Sequence, residues 1–372
     1  MPTFRFHVFS GTGNSMHLSR VVASRIEAAS LSGEGERRVA IIEVDEAEIA
    51  RLRRGEGKVP IREEGDLDAF FFPVFAMSVP RIMMRYIRAL GAARPGAPGG
   101  VRPRAAVLST NGRISDEYRD GHEGQALAQA ERMLRRRGWD LAYRDTFDYP
   151  QSIASILKIQ DEARRASIMA IVAPRIDELA AELVSGKRRR RPCKAWAQLL
   201  GWPFGWLYSI VGRRFLAMLY AADGSCDGCG LCASRCPAGA IKMRGRGHSR
   251  GPGGPRPDWS YVCEGCERCI NICPKQAIQT SILRIAVVTA VCAAIELCPL
   301  KSALASLLGS ALRAPPAWAI ESVWFIVSVV LVFAAVRITD LALVALSRIR
   351  SLRPALAFGW TKWTRRYPGP TR

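Results

Sequence analysis

Two cysteine runs constrain this chain more than any other feature. Cys226 to Ile241 reads CDGCGLCASRCPAGAI and Cys263 to Ile278 reads CEGCERCINICPKQAI, a repeat offset by 37 residues. Half of the sixteen aligned positions are identical, among them four cysteines, the proline after the last one, and the closing Ala-Ile. Three cysteines separated by two residues each can wrap one face of a metal–sulfide cubane. Gly228 and Gly265 ease the turn, and the proline steers the fourth cysteine away from its neighbours. Zinc also accepts four thiolates, though zinc modules usually offer two C-x2-C pairs far apart. Eight of the eleven cysteines fall in these runs, too clustered for a disulfide-stapled scaffold. Met1 to Phe9 shows no basic leader, long apolar run or cleavage site, so the bulk of the chain is expected in the cytoplasm. Thiols stay reduced there and serve as ligands.

The doubled C-x2-C-x2-C-x3-C-P motif resembles that of bacterial-type two-cluster ferredoxins. The resemblance implies two [4Fe–4S] clusters, with the fourth cysteine of each run crossing to the other cluster. One cluster would take Cys226, Cys229, Cys232 and Cys273. The other would take Cys263, Cys266, Cys269 and Cys236. A Gly-, Pro- and Arg-rich stretch, Gly245 to Pro257, is expected as an exposed loop between them.

Ahead of these runs the chain alternates strand-like and helix-like stretches. Strands are expected at Phe4 to Phe9, Val39 to Val44, Leu67 to Phe75, Ala105 to Ser109 and Trp139 to Phe147. Helices are expected at Ser15 to Ala29, Val79 to Leu90, Gln125 to Arg137 and Asp161 to Ser185. The last carries Ile168, Val172, Ile176, Leu179 and Leu183 on one stripe. Such alternation predicts an α/β fold, a parallel sheet covered by helices on both faces. After the first strand comes Ser10-Gly11-Thr12-Gly13-Asn14-Ser15. Small residues there let backbone N–H groups converge on an anion, with hydroxyl donors and a helix N-terminus alongside.

That hexapeptide resembles the phosphate loop of flavodoxins, and a flavodoxin-like domain fused ahead of a two-cluster ferredoxin is itself a recognisable family. The resemblance covers roughly residues 3 to 280. It implies FMN at the carboxyl end of a doubly wound sheet of order 2-1-3-4-5. It places the flavin ring between the loops after strands three and four, Pro73 to Pro80 and Ser109 to Arg113. Phe75, Met77, Asn111 and Gly112 are the ring candidates by position. Neither loop carries, at the expected place, the tyrosine or tryptophan that commonly stacks on the ring.

The 372 residues suit two or three domains. We divide them into a flavodoxin-like domain (1–186), a basic and aromatic linker (187–220), an α+β ferredoxin-like domain (221–280), an apolar helical pair (281–350) and a basic tail (351–372). The linker opens on five basic residues, Lys187 to Arg191, and continues through three tryptophans and two tyrosines between Trp196 and Tyr220. It reads either as solvated chain or as a contact for a membrane surface or acidic partner. Ala317 to Val336 holds twenty residues with one charge, Glu321, long enough to cross a bilayer core. Ile285 to Ile295 would return the chain as a hairpin, and the basic tail, with Trp360 and Trp363, would then lie on the cytoplasmic side.

Arginine supplies 46 of the 54 basic residues behind the formal charge of +21 and is spread along the chain. A nucleic-acid protein concentrates such charge, so no nucleic acid is expected and an acidic redox partner protein or anionic membrane is. Cys193, Cys292 and Cys298 are expected to pack without ligand roles, and His7, His17, His122 and His248 form no metal spacing. The expected function is electron relay between FMN and two clusters at the cytoplasmic face of a membrane. The rivals are a flavin-dependent oxidoreductase acting on a small molecule or quinone, and a non-catalytic basic scaffold or nucleic-acid-binding protein.

Overall fold

The computed structural model describes residues 3–31, 37–56, 66–91, 102–113, 121–245, 254–297, isolated positions from 299 to 306, 316–346, 349, 351–364 and 366–370. Cys298 and His248 lie outside the described residues. Six strands form one parallel sheet: β1 (Thr3–Val8), β2 (Arg38–Glu43), β3 (Leu67–Pro73), β4 (Arg104–Arg113), β5 (Asp140–Pro150) and β6 (Arg189–Arg190). Their order is β2-β1-β3-β4-β5-β6. The three successive phenylalanines of β3 show why both faces are covered. Side chains alternate along a strand, so Phe70 and Phe72 enter one apolar cluster and Phe71 the other. The first cluster is closed by α2 (Glu46–Arg53), α3 (Arg81–Ala89) and α4 (Ala126–Arg135), the second by α1 (Asn14–Leu31) and α5 (Glu162–Val184). Asp161 caps α5 by accepting from the Arg164 amide at 2.8 Å, and the predicted stripe from Ile168 to Leu183 is buried.

The sheet carries one strand more than the predicted 2-1-3-4-5. β6 comes from the basic run expected as linker, and it pairs in parallel with β5. The same alternation explains it. Arg189 reaches Glu178 at 2.9 Å and Glu182 at 3.3 Å on α5, while Arg190 reaches Glu131 on α4. Lys187, Arg188 and Arg191 pair with Glu182, Asp140 and Asp145 in turn. The run is thus held by acidic residues of this chain.

Beyond the sheet, α6 (Ala195–Leu207) continues through a π-helical turn, Tyr208–Gly212, into α7 (Arg213–Leu219). Two small antiparallel sheets follow, β7 (Tyr220–Ala222) with β10 (Ile278–Thr280), and β8 (Ile241–Arg244) with β9 (Arg256–Trp259). Short helices α8 (Leu231–Ser234) and α9 (Arg268–Ile272) start inside the cysteine runs. Then α10 (Ile282–Leu297) packs against α11 (Ala317–Leu346), the expected apolar pair. Within α11, Trp318–Leu343 is long and apolar enough to cross a membrane, and most of it is uncovered. The last segment is no loose tail. Thr361 Oγ1 accepts from the Thr280 amide at 2.9 Å, Trp360 Nε1 donates to Ser155 O at 2.8 Å, and the Tyr367 hydroxyl donates to Asn14 Oδ1 at 2.5 Å.

A polar group of four side chains is sealed in the sheet. His7 Nδ1 lies 2.7 Å from the Tyr86 hydroxyl and Nε2 lies 3.0 Å from Asp68 Oδ1, while Trp139 Nε1 donates to Asp68 Oδ2 at 3.1 Å. With a proton on Nε2, His7 donates to Asp68 and its Nδ1 can accept from the Tyr86 hydroxyl. Replacing Asp68→Ala strips two buried donors of their acceptor, at about 1–3 kcal/mol each. Chemical unfolding should therefore show a loss of several kcal/mol, and Trp139→Phe should lose less. Equal stability of Asp68→Ala and the parent would contradict this network.

Candidate functional site

The fold brings each fourth cysteine to the opposite run. Cys226, Cys229 and Cys232 line one small cavity together with Cys273 of the second run. Burial, and then the negative charges of Cys263, Cys266 and Cys236, push the Cys269 thiol well up. Burial likewise raises Cys232 to about 11, with Cys226 and Cys273 adding to it, and Cys266 to about 12, with Cys236 adding to it. Thiols raised in this way ionise only beside a compensating cation. Among the described residues no three His, Cys, Asp or Glu side chains converge on a single metal ion. Four thiols gathered from both runs around one cavity are the donor set that a 4Fe–4S cluster takes.

The two runs share a backbone as well as a sequence pattern. Gly228 and Gly265 hold φ of 73° and 66°, Gly230 and Glu267 hold 75° and 59°, Gly239 and Gln276 hold 57° and 48°. The amides of Ala240 and Ala277 each donate to the preceding cysteine, Cys236 and Cys273, at 3.3 Å. Glu267 and Gln276 keep the left-handed turn without glycine, at a cost of about 1–3 kcal/mol each. For Glu267 the return is visible. Its buried carboxylate accepts from the Ser155 amide at 3.1 Å and from the Ser155 hydroxyl, fastening the second run to the loop after β5. Burial pushes this carboxyl up to about 7 against those bonds.

At the carboxyl end of the sheet lies a cavity of about 870 Å³. All the predicted cofactor residues except Gly13 line it: Ser10, Gly11, Thr12, Asn14 and Ser15 from the loop before α1, Phe75 and Met77 after β3, Asn111 and Gly112 at the end of β4. Gly13 has φ 112° and faces Pro370 instead. The loop hydroxyls do not all serve as predicted. Ser10 Oγ accepts from the Gly13 amide at 3.1 Å, Ser15 Oγ lies 2.8 Å from Thr110 Oγ1, and Thr12 Oγ1 donates to Ser152 Oγ at 2.7 Å. They shape the loop: Thr12 spends its proton on Ser152, while Ser10 accepts and keeps its own O–H, and first-turn N–H groups of α1 have no acceptor within the helix. Phe75 and Ser78 pair across a tight turn whose middle residues, Ala76 and Met77, both have positive φ. Asn111 is buried, its Nδ2 donates to Thr146 Oγ1 at 2.8 Å, and its Oδ1 has no partner. An acceptor orphaned in a cavity wall fits a ligand N–H, such as a flavin ring carries.

The cavity and the second cysteine run touch. A Cβ on Gly11 would lie 2.8 Å from Cys266 Cβ and 2.9 Å from its carbonyl oxygen. Gly265, Cys266 and Glu267 form part of the cavity wall. Arg268 clamps the contact. Its Nε donates to Gly11 O at 2.9 Å, and another guanidinium nitrogen reaches Ser10 O and, at 3.0 Å, Glu43 Oε1.

Sequence reasoning missed the aromatic wall. The ring loops lack a tryptophan or tyrosine, but α6 supplies Trp196 and the π-helical turn supplies Tyr208, whose ring meets Phe75 edge-on at 6.4 Å. The signal was present in the segment expected as linker. Ser152, His122 and Glu267 were also missed, because only tertiary structure brings them to the cavity. His17 sits outside the cavity wall, 3.0 Å from the Tyr149 hydroxyl, and burial lowers its pKa.

Residues 225–278 match the model of the 4Fe-4S dicluster domain. No curated protein matches the chain. Among solved structures it is similar to an azoreductase from Bacillus anthracis str. Sterne, at 15% identity over 50% of this chain and 100% of that one, with a TM-score of 0.31. It is similar to general stress protein 14 in complex with FMN from Treponema denticola, at 14% identity over 49% and 99%, TM-score 0.30. An apo NADH:FMN oxidoreductase shares 14% identity over 56% and 99%, TM-score 0.34. A 4Fe–4S region thus follows a flavodoxin-like sheet in one chain.

If Arg268 is the clamp, its loss should loosen both sides together. Bonds to a charged donor are worth about 1.5–3 kcal/mol, so Arg268→Ala should speed amide exchange roughly tenfold or more in peptides holding Ser10–Ser15 and Cys263–Glu267. Hydrogen-exchange mass spectrometry reads this directly. Unchanged protection in either peptide would show that the contact holds without the arginine.

Proposed function

We propose that the chain is an iron–sulfur flavoprotein that relays electrons between FMN and two [4Fe–4S] clusters. The observation that carries this reading is the contact of Gly11 with Cys266, which makes a cysteine of the second run part of the wall of the loop cavity. When bound, FMN supplies one- or two-electron chemistry and each cluster passes single electrons. The protein's own part is placement. First-turn amides of α1 would hold the phosphate, Asn111 Oδ1 would take a ring N–H, and Trp196 with Tyr208 would wall the ring from α6. Cys266 and Gly265 keep the second cluster site against that cavity. The first set, half-buried beside exposed Pro274 and Lys275, faces outward toward a redox partner protein.

A second reading, a flavin-dependent oxidoreductase acting on a small molecule or quinone, draws support from the apolar side of the cavity at Ile153 and Ile156, both exposed. Turnover of such a substrate by the purified protein separates the two readings. The basic run 187–191 gives no support to the scaffold or nucleic-acid reading, since it is engaged with acidic side chains of this chain. We place the protein at the cytoplasmic face of a membrane with α11 inserted, on the length and exposure of Trp318–Leu343. Full-length protein should then need detergent for extraction. Its recovery as a monodisperse species from a detergent-free, high-salt soluble fraction would remove α11 from the membrane.

Anaerobically purified protein should carry about eight irons per chain, and Cys229→Ala should disrupt one cluster and spare the other. Stoichiometric zinc without iron would sink the cluster assignment. FMN should bind far better than riboflavin, and Thr12→Ala should weaken FMN by about 1–2 kcal/mol by releasing the loop from Ser152. Equal affinity for FMN and riboflavin would show that the loop holds no phosphate.

A further inference from the structure

The helix that walls the cavity has its polarity turned inside out. Its buried face is made of Ala197, Gly201 and Gly205, four residues apart. These positions admit nothing larger, since a Cβ on Gly205 would lie 2.5 Å from Ser78 Cβ and one on Gly201 would lie 2.9 Å from the Gln125 amide nitrogen. The large apolar side chains after Trp196 are therefore turned outward. Leu199 is 76% exposed and Trp202 66%, with Leu200, Phe204 and Trp206 also more than half exposed. No acidic residue occurs from Ala195 to Leu219, and the nearest charges are Lys194, Arg213 and Arg214. A soluble surface does not gather such residues without something to cover them.

What covers them follows from the neighbouring elements. α6 runs on into α7, and α7 packs against α10, the partner of α11. One aromatic ring ties these parts together. Arg214 of α7 stands 3.8 Å from the centroid of Tyr261, and Arg337 of α11 stands 4.9 Å from the same centroid. Arg337 is the first charge after Glu321 along Trp318–Leu343 and its long side chain can snorkel to the interface, so the Tyr261 cluster marks the level at which α11 nears the headgroups. Tyr261 and Val262 are themselves exposed there. With Ala197 buried, and Gly201 and Gly205 packed against Gln125 and Ser78 of the α/β domain, α6 cannot be ringed by lipid as a spanning helix is. Its exposed tryptophans and cationic flank have the chemistry of a helix lying in the headgroup plane.

We propose that α6 is a membrane-surface helix, embedded by Leu199, Trp202, Phe204 and Trp206 in the same bilayer that α11 enters. Through Trp196 the lipid-bound helix is also a wall of the cofactor cavity, so membrane contact and cavity share one element. The proposal rests on the membrane placement of α11 given above, and the test separates the two.

Full-length protein is reconstituted in vesicles of phosphatidylcholine and phosphatidylglycerol, with a phosphatidylcholine brominated at acyl carbons 6 and 7 replacing the plain one. Tryptophan emission is compared between the parent, Trp202→Phe/Trp206→Phe, and that double variant with Leu199→Trp added. Flavin and cluster absorption confirm that each variant is folded. The double variant should lose part of the emission that bromolipid quenches, and Leu199→Trp should restore it. If the double variant is quenched by bromolipid as strongly as the parent, α6 lies outside the lipid, under water or another protein, and the proposal fails while α11 stands. If bromolipid quenches none of the three, α11 is outside the bilayer too and the membrane placement falls with it.

Discussion

A single close approach governs the rest of this molecule: the backbone of Gly11 lying against Cys266. Two domains joined by ordinary chain would drift relative to each other, because inter-domain contacts are usually small and polar. Here the drift is suppressed from several sides. Arg268 spans from the second cysteine run to the carbonyls of Ser10 and Gly11, Glu267 holds Ser155, and Tyr367 reaches Asn14 from the end of the chain. The apolar cluster on the α3–α4 face of the sheet also continues into the ferredoxin-like region through Ala240, Ile270 and Ile278. These contacts together hold the second cysteine site against the cavity wall.

Much of this was legible in the sequence because the chemistry is local. Cysteine spacing specifies a cubane by itself, and the loop Ser10–Ser15 sits between a strand and a helix that periodicity identifies. The phenylalanines of β3 announce a strand buried on both faces. What escaped was whatever depends on a distant partner. Arg189 and Arg190 read as solvated because nothing in a run of like charges reveals that Glu178, Glu182 and Glu131 flank it on opposite sides of a sheet. Trp196 and Tyr208 read as linker residues because the ring loops and α6 are far apart in sequence. The segment after α11 read as a basic tail, yet Thr361 and Tyr367 are buried partners of Thr280 and Asn14.

The hydroxyls of the glycine loop teach a related lesson about motif reading. Residue type suggested that Ser10, Thr12 and Ser15 would donate to an anion. Each is instead engaged within the protein, by Gly13, Ser152 and Thr110. A hydroxyl is both donor and acceptor, and a loop that must stay open while its side chains are buried uses that capacity on itself. Thr12 spends its proton in this way, on Ser152; Ser10 accepts from Gly13 and keeps its own O–H beside the peptide groups of the loop.

The two cysteine runs agree at half of their positions and differ at the rest. Their backbones still agree turn for turn, including the left-handed residues, so the sequence differences between them report their surroundings. Where the first run has Gly230, open to space, the second has Glu267 anchored in the flavodoxin-like domain. Cys263 and Cys269 are buried, while every cysteine of the first set keeps some exposure. Burial disfavours added negative charge, and nearby guanidinium groups such as Arg268 oppose that effect. The two sites therefore cannot be electrically equivalent even though their ligands are. The site that includes buried Cys263 and Cys269 adjoins the cavity, while the other lies beside exposed Pro274 and Lys275, an asymmetry that accords with the proposed relay.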